Sequence, residues 1–234
     1  MTDQSAAAIS VKDLLKELKS LSDPEAVEGM ARFGISSTNT LGVSVPKIRA
    51  IARRIGKHHA LAQQLWGTEI HEARLLASMV DDPKLVDENQ MDRWVAGFDS
   101  WDVCDQCCGN LFDKTPYAYR KAVEWSGKDS EFVKRAGFVM MAELAVHDKK
   151  APDEKFLGFL SLIETSSDDR NFVKKAVNWA LRQIGKRSLS LNKKALSVAA
   201  KMLKSESKSL RWIASDALRE LKSDPVQTKL RKRS

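Results

Sequence analysis

The sequence FVKRA at residues 132–136 recurs as FVKKA at 172–176, 40 residues later. A second element, ALR at 180–182, recurs at 217–219, 37 residues further along. Both elements lie in stretches where apolar residues repeat every three or four positions, which is the period of an amphipathic helix. Two-helix units at a spacing near 40 residues are typical of HEAT-type α-solenoids, whose units stack and bury their shared faces. The repeat therefore predicts an all-α solenoid of HEAT-like two-helix repeats.

Helical periodicity extends outward from this repeat over nearly the whole chain. Only residues 36–45 have an extended pattern, and short segments with Asp, Ser, Thr and Pro separate about a dozen predicted helices. No long linker interrupts the pattern. We therefore predict a single all-α domain over 1–234, with a short disordered basic tail at about 229–234.

The composition excludes several classes of protein. With 43% hydrophobic and 30% charged residues among 234, the chain can bury a sizeable core, which argues against wholesale disorder. No apolar run approaches the roughly 18 residues of a membrane helix, and the N-terminal residues lack the pattern of a signal peptide. We expect a monomeric protein with no membrane partner, located in the cytoplasm (a bacterial-type cytosol or nucleoid) or otherwise inside the cell.

The positive charge is concentrated in the last third of the chain. Residues 171–234 hold 17 Lys or Arg and four Asp or Glu, a net of +13, whereas residues 1–170 hold 22 against 27. Such an asymmetry is typical of a protein that docks on a polyanion, and in a solenoid it predicts a concave basic DNA-binding face. The alternative is a solvated lysine-rich surface with no partner.

The predicted helix near residues 171–186 has a defined core stripe. On a helical wheel the stripe comprises Val173, Ala176, Val177, Ala180, Leu181 and Ile184. Trp179 lies on the opposite face together with Phe172, Lys175, Arg182 and Lys186. An aromatic ring flanked by cations is a pattern that nucleic-acid binding uses, although Trp179 could instead pack against a neighbouring repeat.

Two charged residues are predicted among apolar neighbours. Asp105 shares a helix face with Trp101, and Arg135 lies on an apolar face in the repeat position that Lys175 holds in the next unit. Buried charges need a partner or a function. Asp105 and Arg135 could pair with each other, or Arg135 could bind phosphate. Asp102 needs no such explanation, because a carboxylate in the first turn of a helix is stabilised by the helix dipole.

The remaining motifs argue against bound cofactors. Cys104, Cys107 and Cys108 lack a second pair to complete a zinc site, so we predict buried free thiols and no metal. No P-loop and no dinucleotide-binding motif is present, so we expect no nucleotide cofactor.

The segment W-D-x-x-D at 101–105, the Arg of FVKRAGF and the Trp of FVKKAVNWALR together resemble the AlkD-like DNA alkylation repair family, which has HEAT-like repeats. The resemblance extends from about residue 42 to about residue 187. The family that the chain resembles includes DNA glycosylases. It implies a lesion site formed by Trp101, Asp105, Arg135 and Trp179.

The resemblance implies hydrolysis of the N-glycosidic bond of positively charged N3- or N7-alkylpurines in duplex DNA, without a metal or another cofactor. Asp105 would stabilise the developing oxocarbenium charge and orient the water, and the two rings would contact the nucleotide. We expect phosphate contacts from Lys175, Arg182, Lys186, Arg187 and Arg211. The alternatives are a non-catalytic HEAT-repeat DNA-binding protein and an α-solenoid scaffold for an acidic protein.

Overall fold

The computed structural model of the chain describes residues 9–232, and over that range it contains helices and no strand. Its helices are α1 (Val11–Ser20), α2 (Pro24–Arg32), α3 (Val45–Ile55), α4 (His59–Trp66), α5 (His71–Val80), α6 (Glu88–Ala96), α7 (Trp101–Asn110), α8 (Ala118–Ser126), α9 (Glu131–His147), α10 (Glu154–Thr165), α11 (Asn171–Gly185), α12 (Leu189–Met202), α13 (Lys208–Leu221) and α14 (Asp224–Arg231). A 3₁₀ turn, Phe112–Lys114, lies between α7 and α8. No helix within 9–232 is both long enough and apolar enough to cross a membrane. The prediction of an all-α fold is confirmed.

The chain divides into two compact units, Met1–Asp87 and Glu88–Ser234. In the first unit α5 is central, because α1, α3 and α4 all pack against it. Its core-facing residues include Leu75, Leu76 and Val80, all fully or almost fully buried. The single-domain organisation over 1–234 stays a prediction.

The extended segment predicted at 36–45 contains no strand and is held by a buried carboxylate instead. Backbone N–H groups of residues 41–43 donate hydrogen bonds to Glu72 of α5, the shortest being 2.7 Å from Gly42. Gly42 has a φ of +81°, and a Cβ there would lie 2.1 Å from the carbonyl oxygen of Asp23. Only glycine fits this backbone conformation and this close approach.

In the second unit, α9 packs between α7 and α11, and α11 packs in turn on α13. We call α7, α9, α11 and α13 the inner row. The pairs α8–α9, α10–α11 and α12–α13 are each in contact, so each inner helix from α9 onward has a preceding partner. The recurring sequences FVKRA and FVKKA lie in the first turns of α9 and α11. The predicted two-helix repeat is therefore confirmed.

The last helix replaces part of the predicted tail. The residues from 229 to Arg231 belong to α14, which is anchored by the buried side chain of Leu230. Residues 233 and 234 of the predicted tail lie outside the described residues.

Candidate functional site

Helix α7 begins the candidate site. Its N-cap is Ser100, whose hydroxyl donates a 2.8 Å hydrogen bond to the carboxylate of Asp102 in the first turn. Asp102 is buried, and this contact supports the structural role predicted for it. Trp101 is the first residue of α7 and is partly exposed. Asp105 follows one turn later on the same side of the helix.

Asp105 forms a two-point ion pair with Arg135 of α9. The guanidinium donates from Nε to Oδ1 at 2.9 Å and from Nη2 to Oδ2 at 2.7 Å. Its third donor, Nη1, binds the carbonyl oxygen of Phe172 in α11 at 2.6 Å. One side chain thus connects three helices of the inner row. The pairing of Asp105 with Arg135 that the sequence left open is present.

The ion pair is largely shielded from water, since only 15% of the Asp105 side chain and 7% of the Arg135 side chain are exposed. Burial outweighs the opposing effect of the neighbouring guanidinium, so the pKa of the Asp105 carboxyl is raised above its ordinary value. Burial by itself would lower the pKa of Arg135, but Asp105 more than offsets this and the pKa is raised. Arg135 therefore keeps its charge and holds the carboxylate in one orientation.

The interior beside the ion pair is apolar. The rings of Phe132 and Phe172 lie with their centroids 5.7 Å apart, at the start of α9 and α11. All three cysteines are buried and unoxidised, as predicted, and the Cys104 thiol lies 3.8 Å from the carbonyl oxygen of Phe132. Burial raises the pKa of the Cys108 thiol well above its ordinary value. The Cys108 thiol is therefore a poor nucleophile.

Helix α11 supplies the next part of the surface. The six residues of the predicted core stripe are all fully buried, which confirms the helical wheel. Trp179 lies off that stripe and is partly exposed, and Lys175 is exposed. Neither side chain has a hydrogen bond, ion pair or ring contact with the described residues. The structure thus presents both side chains on the side of α11 predicted for ligand binding.

The other four predicted phosphate contacts are engaged within the protein. Arg182 and Lys186 both bind the Glu220 carboxylate, at 2.5 and 2.6 Å. Arg187 donates to the carbonyl oxygens of residues 145 and 151, and Arg211 donates to those of residues 205 and 206. The sequence pattern did not predict Glu220 as the partner of Arg182 and Lys186, although Glu220 lies one residue beyond the recurring ALR element.

A second charged cluster lies where α9 ends. Nδ1 of His147 is 2.5 Å from Oδ2 of the fully buried Asp113 carboxylate and 3.5 Å from Oε2 of Glu143. The three ligand atoms lie within 4.8 Å of one another, a set of donors that could coordinate a divalent cation. Lys114 binds the other oxygen of Asp113 at 2.8 Å and already neutralises part of this charge. Burial raises the pKa of Glu143 to about 7.

The sequence pattern did not predict the cluster of Asp113, Glu143 and His147. Glu143 and His147 are four positions apart on α9 and hence share a face, which is a detectable signal. Asp113 comes from the 3₁₀ turn, 34 residues away from His147 in sequence, and no local pattern connects the two.

An exposed tryptophan on α13, Trp212, was also not predicted as a candidate site residue. The indole is 43% exposed, and Nζ of Lys174 lies 5.1 Å from the ring centroid. The sequence does contain a signal for Trp212: the 37-residue offset between α11 and α13 places it in the repeat position of Lys175.

Comparisons with known proteins show the family and the fold of this chain. A family model described as "DNA alkylation repair enzyme" matches residues 14–221. A solved structure described as "A new family of proteins related to the HEAT-like repeat DNA glycosylases with affinity for branched DNA structures" has a TM-score of 0.75 and 21% identity, covering 91% of this chain and 95% of that chain. Among curated proteins, none gives a significant match.

Proposed function

The chain belongs to the family of DNA alkylation repair enzymes, and from that premise we propose that it is a DNA glycosylase acting on positively charged alkylpurines. Its substrate would be duplex DNA with N3- or N7-alkylated bases. The reaction is hydrolysis: water adds to C1′ of the deoxyribose, the bond from C1′ to the base nitrogen breaks, and the base leaves as a neutral molecule with that electron pair. The proton that the water loses passes to the solvent.

The observation that carries the proposal is the orientation of Asp105. A base that already bears positive charge is a good leaving group, so the enzyme need not supply a general acid. Positive charge develops on the sugar instead, and a preorganised carboxylate stabilises it more effectively than mobile water does. Arg135 fixes both oxygens of Asp105 without covering it completely, since 15% of the side chain stays exposed. The same carboxylate could orient the attacking water.

The neighbouring residues have distinct roles in this proposal. Trp101 and Trp179 would contact the nucleotide through ring faces, which attract cationic groups. Arg135 has Nε and both terminal nitrogens committed to Asp105 and to Phe172, so we assign it the positioning of Asp105 rather than phosphate binding. Among the predicted phosphate contacts, Lys175 is the one whose side chain makes neither a hydrogen bond nor an ion pair within residues 9–232. No step requires a metal or a nucleotide cofactor.

The predicted phosphate contacts at Arg182, Lys186, Arg187 and Arg211 would act mainly through their long-range field, since each is bound within the protein. A monomeric protein inside the cell, where the proposed DNA substrate is found, remains our expectation.

A second candidate is a DNA-binding protein of this fold that excises no base. It is favoured by the description of the structural neighbour, which names affinity for branched DNA. The Asp105–Arg135 pair would then serve only to join α7 to α9.

Release of methylated purines from alkylated duplex DNA tests both candidates. Wild-type protein should release them, and Asp105→Asn should reduce the single-turnover rate by about 10²-fold or more, the scale of losing one preorganised electrostatic group. Affinity for undamaged duplex should be unchanged or slightly higher. Asp102→Asn, on the same helix, is the matched control and should change the rate only modestly.

The outcomes separate the candidates. Unchanged release by a folded Asp105→Asn protein would falsify the role of Asp105. Binding of duplex DNA without any release by wild-type protein would leave the second candidate. If the wild-type protein neither binds nor cleaves, both candidates fail.

A further inference from the structure

The exposed ring of Trp212 lies outside the proposed lesion site and has no core function to explain it. Large aromatic side chains are normally buried, and most of the other tryptophans in the second unit are more buried than this one. Trp212 follows the first turn of α13, while its helix is anchored by Leu210, Ile213 and Ala214 on the buried side. The ring therefore contributes little to the core that it borders.

The repeat places Trp212 in register with the candidate site. Arg135, Lys175 and Trp212 occupy the same repeat position on α9, α11 and α13, at offsets of 40 and 37 residues. The contact between Lys174 and the Trp212 ring shows that the starts of α11 and α13 are adjacent. The inner row thus carries, in order, the positioning arginine, an exposed lysine and an exposed indole.

Lysine side chains lie near Trp212 on both α11 and α13. Lys208 lies one turn before Trp212 on α13 and is exposed, as is Lys175 on α11. Neither α11 nor α13 has an acidic residue in its first turn. Asp216 lies one turn after Trp212, and its carboxylate is engaged by Asn178 and Arg182 of α11. Glu220, a further turn along, binds Arg182 and Lys186.

We propose that Trp212 is a stacking platform for an unpaired nucleotide of DNA, with Lys175 and Lys208 holding the flanking phosphates. This site rests on the proposed DNA-binding function and lies beyond the lesion site formed around Asp105. An exposed ring between cations is complementary to a nucleotide in both of its parts, the apolar base and the charged backbone. A base within an intact duplex has both faces covered by its neighbours. The ligand is therefore a base that is already outside the stack.

Affinity for two undamaged DNA molecules tests the proposal independently of excision. One is a fully paired duplex, and the other has the same sequence with a short bulge of unpaired thymidines in one strand. Wild-type protein should prefer the bulged duplex. Trp212→Ala should weaken that complex by about tenfold, within the range for losing one base–aromatic stack, and should weaken the paired complex less than about twofold.

Salt dependence separates the ring from the lysines. Trp212→Ala should leave the slope of log affinity against log salt unchanged, because it removes no charge. The double variant Lys175→Ala/Lys208→Ala should reduce the slope by between about one and two on both DNA molecules. Trp212→Phe keeps a ring and should retain most of the preference for the bulge. Leu157→Ala, at a residue of α10 that is 40% exposed, is the control for loss of exposed apolar surface.

Each outcome has one meaning. No preference for the bulge in the wild type, or equal loss on both DNA molecules in Trp212→Ala, overturns the platform and leaves the proposed function intact. Loss of binding in Trp212→Ala that Trp212→Phe does not restore, with an unchanged melting temperature, also overturns stacking. If the wild-type protein binds neither DNA, the proposed function fails with it.

Discussion

Helix α9 carries two charged sites, two turns apart, with opposite electrostatic character. At Arg135, a buried carboxylate meets a guanidinium that satisfies both of its oxygens. At Glu143, a second carboxylate lies near His147, which also binds the fully buried Asp113. The first site has one partner for each charge, whereas the second brings two carboxylates to one imidazole and one lysine.

The two sites on α9 differ in how their charge responds to pH: Arg135 keeps its charge, whereas Glu143 titrates. Arginine stays protonated at all working pH values, so the charge of Arg135 does not change with pH. Burial raises the pKa of Glu143 to about 7, so the charge of the Glu143 site changes near neutrality. A carboxylate that must stabilise a developing cation belongs at the first kind of site, which is where Asp105 lies.

The strongest test of this contrast is Arg135→Ala. Removing one partner of a buried ion pair leaves an uncompensated charge, so we expect a loss of about 3–5 kcal/mol in the free energy of unfolding. Denaturant unfolding measures it. The loss should shrink when Asp105→Asn is added, with a coupling of about 0.5–3 kcal/mol, because the second change removes the stranded charge. Strictly additive effects would show that the two side chains do not depend on each other.

Several features of the first site were predictable from the sequence. Val173 and Ile184 lie on a periodic apolar stripe, and such stripes reflect burial directly. Arg135 and Lys175 were aligned by the repeat, and the apolar faces around Arg135 and Asp105 required partners for both charges. Pairing between them could be named as an alternative because both charges lie on apolar faces and each needs a partner.

The contacts that the sequence did not predict join positions far apart in the chain. Glu220 binds Arg182 from 38 residues away, and Asp113 binds His147 from 34 residues away. Long polar side chains can pair in many ways on a solenoid surface, and only the packing of neighbouring helices selects one. Net charge thus located the basic region, but it could not show which cations were already neutralised.

A middle-sized effect is expected from Glu143→Gln, and it should depend on pH. Below about pH 4.5 the glutamic acid is protonated in both the folded and unfolded chains. As pH rises, the unfolded chain releases its proton first, so the folded state loses stability until the pH has passed about 7, the pKa of folded Glu143. Gln carries no charge and avoids this loss. The variant should therefore equal wild type below about pH 4 and exceed it by about 1–3 kcal/mol near pH 8.

Thermal or denaturant unfolding of both proteins at several pH values measures this difference. The charged groups facing Glu143 are Asp113, His147, Lys114 and Asp105, and all are present in both proteins. A stability gap that does not change with pH would contradict a raised pKa, and a gap that narrows toward pH 8 would reverse its sign.

The smallest expected effect comes from Gly109→Ala, at the point where α7 approaches the Glu143 site. A methyl group at Gly109 would lie 2.6 Å from Oε1 and 2.8 Å from Cδ of Glu143, so the carboxylate must move. It is the far end of a flexible side chain, and alanine is a better helix former than glycine by up to about 1 kcal/mol. These effects oppose each other, so the free energy of unfolding should change by less than about 1 kcal/mol.

The informative quantity is the pH dependence of the free energy of unfolding of Gly109→Ala. If the displaced carboxylate gains contact with water, its pKa falls toward the ordinary value and the loss of stability between pH 5 and 8 becomes smaller than in wild type. A large destabilisation with unchanged pH dependence would mean that Glu143 stays buried and that the helices separate instead, and the contrast between the two sites of α9 would then depend on helix spacing rather than on this single side chain.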